Sequence, residues 1–311
     1  MNNFAIITDT NSELSPQMQK EFGIDEVIPG HIVTPDGVDH FSDTEWKLYP
    51  NPESFYAELR NKKKTFTTSP PNVAEFKECF EKYLKEGRDI LYVSLSAALS
   101  GTYNFALMAS KELSEAYPDR KVLIFDSMRY SVALAVLSHE AALLRKEGKD
   151  IDETFSILDK KKFCLHQMGP MDDLFFLSRK GRVSFGAAFM GTMVGVKPLG
   201  DFNREGMTTV ITKAMGTNKA MAITVEYIKR TIVDPEKQNI FIAETDRRKN
   251  AELLASLIEK EIHPAKITII TCGPSSGINV GPGLAAAFYF GKEISEGLVE
   301  ETAIMKEIAG K

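Results

Sequence analysis

Short, near-continuous apolar runs alternate with stretches of helical periodicity along the first half of the chain. Phe4 to Thr8, Ile90 to Leu95 and Lys121 to Phe125 have the apolar content that a strand buried on both faces requires. Val27 to Thr34 and Thr65 to Thr68 are further strand candidates. Between them, Ser15-Pro16 reads as an N-cap and first helical position, and Asn72 with Glu75 forms a capping-box-like pair. Behind that pair, Val73, Phe76, Phe80, Tyr83 and Leu84 make one apolar helical face. Tyr103, Ala106, Leu107, Ser110 and Leu113 repeat the helical spacing, and a long helix is predicted from Ser131 to Glu147. Pro35 to Pro52 is rich in Asp, Pro and Gly and reads as an irregular excursion around Trp46, followed by a short helix from Glu53 to Arg60. Strands alternating with helices imply a mostly parallel, three-layer α/β sheet. Asp9, Thr68-Ser69, Ser96 and Asp126-Ser127 are all expected at its carboxyl edge.

A helix C-cap glycine followed by a fresh helix start, Gly148 to Asp152, marks the expected boundary between residues 1–150 and a second α/β domain, 151–311. This half carries strand candidates at Phe163 to Gln167, Val196 to Leu199, Thr208 to Lys213, Ile240 to Glu244, Ile267 to Thr271 and Leu284 to Phe290. The turn signal Asn203 to Gly206 joins two of them and predicts a mixed or antiparallel sheet. Helices are expected at Asp172 to Leu177, Ser184 to Val194, Thr217 to Thr231, Lys249 to Glu261 and Glu293 to Ile308. The 184–194 stretch is loaded with Phe, Met, Gly and Ala, which suits a core helix or the wall of an apolar tunnel. Gly273 to Gly283 reads either as turn chemistry or as a close backbone approach to a ligand.

Composition narrows the function classes. With 311 residues, 43% apolar and 26% charged, the chain is long enough for two domains with their own cores. A net charge of −5, with no basic run beyond Lys62-Lys63-Lys64 and Lys160-Lys161-Lys162, argues against a nucleic-acid partner. Cys79, Cys164 and Cys272 are scattered and lack metal spacing, so no disulfide framework, zinc site or other metal site is expected, and a reducing cytoplasm fits. The N-terminus enters a strand pattern at once and no long apolar span follows, so neither secretion nor membrane spanning is expected.

The candidate chemistry centres on residues 88–104, where an apolar strand turns into Ser96, Ser100, Gly101 and Thr102 before a helix begins. Such a corner offers free backbone N–H groups and the positive end of a helix dipole to an anion. Thr68 and Ser69 form a second hydroxyl cluster, and two clusters converging on one carboxylate would offset its desolvation. No nucleophile elbow, Walker loop, dinucleotide fingerprint or zincin motif is present, so no catalytic residue and no cofactor is expected. His31, His40, His139, His166 and His263 read as surface or packed side chains. Asp9 and Asp126 have two readings: satisfaction of loop and cap donors, or acid–base or metal chemistry in a small-molecule phosphotransferase or hydrolase.

Taken together, Asp9-Thr-Asn-Ser12, Thr68-Ser-Pro-Pro71, Ser94 to Asn104, Asp126-Ser127, Lys180-Gly-Arg-Val183, Val196-Lys-Pro-Leu199 and the Gly273 to Gly283 pattern resemble the DegV family in order and spacing, over almost the whole chain. That resemblance implies a two-domain α/β protein with a slot between the domains for one long-chain fatty acid, and no activity of its own. It implies a carboxylate held by Thr68 and one serine of the 94–100 stretch, taken as Ser96, with Ser69, Ser100, Gly101 and Asn279 as the further head-group candidates and Phe185, Phe189, Met190, Met193, Gly281 and Gly283 as candidates along the tail. The partners so implied are the fatty acid, a separate bacterial fatty acid kinase making acyl phosphate for phospholipid synthesis, and transient membrane contact during lipid exchange. The chain departs from the family pattern at Ala97, where a second serine is usual, at Asn279, where a histidine is usual, and across Lys213 to Lys219, where Met215 falls in a normally basic stretch.

Overall fold

The structure is a computed structural model and describes residues 4–172, 176, 181–185 and 195–310. The chain divides into two compact units. Unit 1 comprises Met1–Leu48, Lys64–Lys162 and Gly273–Ser275, and unit 2 comprises Tyr49–Lys63, Phe163–Cys272 and Ser276–Lys311. The helix opened by Gly148 to Asp152, Ile151–Lys161, lies within unit 1.

Unit 1 is built on a parallel sheet of β1 (Phe4–Asp9), β2 (Glu26–Ile28), β6 (Asp89–Ser94) and β7 (Val122–Asp126), in the order β2-β1-β6-β7. The continuous apolar runs are divided between two faces by the period-2 alternation of a strand. Ala5, Ile7, Ile90, Tyr92 and Ile124 pack with Phe76 and Phe80 of α3 (Val73–Lys85) and with Ala106, Ala109 and Leu113 of α4 (Thr102–Ala116). The other face meets α5 (Val132–Lys146) and α6 (Ile151–Lys161), where Phe125 packs edge-on against Phe155. The predicted three-layer arrangement is therefore present. α1 (Pro16–Phe22) is capped by Ser15, whose hydroxyl accepts Met18 N–H at 3.2 Å.

Two strand expectations need correction. Val27 to Thr34 is not one strand, because Pro29 and Gly30 divert the chain and Thr10 Oγ1 takes the Gly30 N–H at 3.1 Å. β2 ends there, and β3 (His31–Val33) starts a separate antiparallel sheet with β4 (Asp39–Phe41) and β5 (Thr67–Ser69). Thr68 thus pairs with Ile32 in this small sheet and is not the end of a parallel strand. β4 also gives order to part of the stretch expected to be irregular. α2 (Pro52–Leu59) belongs to unit 2, capped by Asn51 and anchored by Tyr56, whose hydroxyl donates to the Cys272 carbonyl at 2.8 Å.

Unit 2 holds a mixed sheet of β8 (Leu165–Met168), β12 (Asn239–Glu244), β13 (Lys266–Thr271) and β14 (Ala285–Phe290), in the order β13-β12-β14-β8. Only the β12–β13 pair is parallel. A second sheet contains β9 (Val183–Phe185), β10 (Val196–Phe202) and β11 (Thr208–Met215). The predicted turn joins β10 to β11: Asn203 Oδ1 accepts the N–H groups of Glu205 and Met207 at 3.1 and 2.9 Å. α7 (Thr217–Thr231), α8 (Arg248–Ile262) and the terminal helix, Val299–Ala309, supply apolar side chains to one shared core.

The Gly273 to Gly283 stretch is not a turn alone. It contains α9 (Pro274–Val280), because Pro suits a first helical position and Gly281, at φ 81°, ends the helix by donating to the Gly277 carbonyl at 2.8 Å. The helix expected from Ser184 begins instead as β9, with Ser184 and Phe185 paired to Thr209 and Val210 of β11. The rest of that stretch, residues 186–194, and most of the helix expected from Asp172 to Leu177 lie outside the described residues.

Candidate functional site at the carboxyl edge of the parallel sheet

Three parallel strands of unit 1 end in polar residues, and the loops beyond them are tied together by those residues. β1 ends in Asp9, which is fully buried. Its Oδ1 accepts the Asn11 backbone N–H at 2.8 Å and the Asn11 amide at 2.7 Å, while Oδ2 accepts the Tyr92 hydroxyl at 2.8 Å. Burial pushes the Asp9 carboxyl above its usual range, against the hydrogen bonds from Asn11 and Tyr92, and burial likewise pushes the Tyr92 phenol well up. At the end of β7, Asp126 Oδ1 accepts Ala97 N–H at 3.2 Å and Met128 N–H at 2.9 Å. Both strand-end carboxylates therefore fasten loops, the first of the two readings open from sequence.

β6 leads into the hydroxyl-rich corner. Ser96 is fully buried: its N–H donates to the Arg129 carbonyl at 2.9 Å, and its Oγ accepts the Ala98 N–H at 3.3 Å. Ser100 Oγ accepts the Thr102 N–H at 3.3 Å and lies 2.8 Å from Thr102 Oγ1, which orders the first turn of α4. Gly101 is exposed at the N-cap of α4 and contributes no side chain there. Ser96, Ser100 and Gly101 thus share one strand-to-helix corner.

β5 reaches the same edge by another route. Thr68 is half-buried and Ser69 exposed. A Cβ on Gly30 would stand 3.3 Å from the Ser69 carbonyl and 3.8 Å from Thr10 Oγ1, so the end of β5 closes on the loop after β1. In unit 2, Asn279 is half-buried near the end of α9, and Gly281 and Gly283 are buried just beyond it. Gly283 has a left-handed φ of 116°, and a side chain there would meet Asp172 Cβ at 2.4 Å. Phe185 lies in β9, while Phe189, Met190 and Met193 lie outside the described residues.

Some of the edge was not found from sequence. Glu13 is 3% exposed, and its carboxylate accepts the Ser131 hydroxyl and the Gly273 N–H. Arg129 is completely buried, donating to the Met128 carbonyl at 2.8 Å and the Lys162 carbonyl at 2.5 Å. Their only local signal is a lone charge beside a strand-end hydroxyl, in Asn11-Ser-Glu-Leu14 and Ser127-Met-Arg-Tyr130. Among the described residues, no group of three or more His, Cys, Asp or Glu is placed to hold a metal ion, and no helix is long and apolar enough to cross a membrane.

Comparison with known proteins covers nearly the full length. Residues 3–292 match the family described as uncharacterised protein, DegV family. A DegV domain-containing protein of Clostridium perfringens is 35% identical over 291 residues, 94% of this chain and 98% of the relative. A solved structure of a DegV family protein from Thermus thermophilus, described for its fatty acid binding, has a TM-score of 0.82 at 21% identity, covering 93% of this chain and 99% of that one. A DegV family protein from Eubacterium eligens, loaded with heptadecanoic acid, has a TM-score of 0.78 at 19% identity, covering 93% of this chain and all of the other. The fold is thus that of these proteins, and the chain belongs to the DegV family.

Proposed function

We infer that this protein binds one long-chain fatty acid and does not itself transform it. The observation that carries this reading is the full-length fold likeness to DegV proteins described with fatty acids, one of them loaded with heptadecanoic acid. The hydroxyl-rich corner suits a carboxylate, because hydroxyls donate hydrogen bonds to the anion at neutral pH without needing to titrate. The head-group ligands in this reading are Thr68, Ser69, Ser96, Ser100 and the Gly101 backbone, with Asn279 a neutral contact. Phe185, Phe189, Met190, Met193, Gly281 and Gly283 are the tail contacts. A carrier is favoured over a hydrolase or phosphotransferase by Asp9 and Asp126, whose carboxylates accept loop N–H groups.

The tail dominates the energetics. Burying each methylene is worth about 0.8 kcal/mol, so a long acyl chain supplies on the order of 10 kcal/mol before association costs. The hydroxyls set orientation, presenting the carboxylate to a separate kinase that makes the acyl phosphate. This setting is cytoplasmic, with transient membrane contact during lipid exchange.

Solvent extraction of the purified protein followed by mass spectrometry tests the ligand class: a stoichiometric fatty acid supports it, whereas a polar metabolite or an empty protein counts against it. The double substitution Thr68→Val and Ser96→Ala is expected to weaken fatty acid binding by roughly tenfold or more without unfolding the chain. Unchanged affinity would reject those two residues as head-group ligands.

A further inference from the structure

Gly273–Ser275 is the one stretch beyond Lys162 that packs as part of unit 1. Two side chains of the loop after β1 hold it. Glu13 Oε2 accepts the Gly273 N–H at 2.7 Å, and its Oε1 accepts the Ser131 hydroxyl at 3.1 Å. Ser275 Oγ donates to Asn11 Oδ1 at 2.9 Å. Asn11 has only that orientation available, because its Nδ2 donates to the buried Asp9 at 2.7 Å.

The grip is an expensive one. Placing a carboxylate at 3% exposure costs desolvation, which a carbonyl acceptor would largely avoid. Glu13 and Ser131 also have left-handed backbone, at φ 63° and 55°, a conformation disfavoured for residues other than glycine. Gly273 completes the fit: a Cβ there would stand 3.3 Å from the Asp43 carbonyl and 3.4 Å from Glu13 Oε2. Buried charge, paired backbone strain and a side-chain-free partner all converge on one backbone N–H, which lies at the residue immediately before α9.

We propose that Glu13, seconded by Asn11, is a positioning residue: it fixes where α9 begins, and thereby governs how fast the bound acid is released. The claim about release rests on the fatty-acid reading above, while the claim about α9 does not. A charge-assisted bond from a buried carboxylate to a backbone N–H suits this task, being directional and strong enough to hold one helix start in place.

Amide hydrogen exchange on the ligand-free full chain tests the first claim. Glu13→Ala is expected to speed exchange from Gly273 to Asn279 on the order of tenfold, with the core strands unchanged. Glu13→Gln keeps one acceptor oxygen and should show a smaller rise, which guards against a failure of the alanine variant to fold. Unchanged exchange in both variants, or a rise spread evenly across β1, β6 and β7, would overturn the assignment. Stopped-flow release of cis-parinaric acid, a fluorescent polyene fatty acid, tests the second claim. Faster release in the order Ala, then Gln, then wild type supports it, and equal rates overturn it. If the wild-type protein takes up no cis-parinaric acid, the fatty-acid reading fails, and the exchange result still decides the role of Glu13 at α9.

Discussion

At the scale of single residues, a buried histidine shows how a charged partner can outweigh burial. His166, read from sequence as a surface or packed histidine, is 1% exposed in unit 2. Its Nδ1 lies 2.5 Å from Asp201 Oδ2, its Nε2 lies 2.7 Å from the Lys292 carbonyl, and its ring stacks on Tyr289. Asp201 also accepts the Tyr227 hydroxyl at 2.7 Å and the Gln167 N–H at 2.9 Å. Burial alone would lower the imidazole pKa, but the Asp201 charge and hydrogen bond, with the Lys292 carbonyl and the more distant Glu301, outweigh it and raise it. Both ring nitrogens face acceptors, as an imidazolium requires. A folded-state pKa raised above the unfolded value of about 6.5 gives a stabilising contribution that is complete below that pH and lost as pH rises through the folded value. Denaturant unfolding is therefore expected to show stability falling on the alkaline side. His166→Gln should remove that fall and cost about 3–5 kcal/mol near neutrality, because Asp201 is left without its cation. An unchanged alkaline slope in the variant would reject the pair as its source.

At the scale of elements, local signals were legible wherever a cap and a periodic face coincide. α3 is the clearest instance. Asn72 Oδ1 accepts the N–H groups of Ala74 and Glu75 at 2.9 and 3.1 Å, and Glu75 Oε2 accepts the Asn72 N–H at 2.7 Å. Asn72→Ala is expected to lower global stability by about 1 kcal/mol, read from urea midpoints, and to leave the sheet intact. No change would mean that packing of Phe76 and Phe80 alone sets the start of the helix. β5 is the opposite instance: a run of three residues carries almost no periodicity, so its neighbours decide its sheet, and β3 lay there once Pro29 and Gly30 had turned the chain. α9 was misread because glycine and proline signal turns when counted by composition, whereas proline at the first helical position and glycine after the last define a short helix.

At the scale of the whole molecule, binding and stability are linked. A ligand that binds only the folded chain stabilises it by about 2.7 kcal/mol at one hundred times its Kd. Delipidated protein is therefore expected to melt at a higher temperature when a long-chain fatty acid is added, and by less with a fatty alcohol of equal length. A melting temperature insensitive to the acid would count against the proposed function. The sequence by itself determined the α/β class, the alternation in unit 1, the β10–β11 turn and the hydroxyl corner, since caps, turns and side-chain periods are set by residues a few positions apart. Tertiary structure alone decided that Thr68 joins a separate antiparallel sheet, that His166 meets Asp201, and that Glu13 grips a backbone N–H 260 residues away. Such contacts follow from which polar groups must find partners once the core has closed around them, and no local pattern in the chain carries that information.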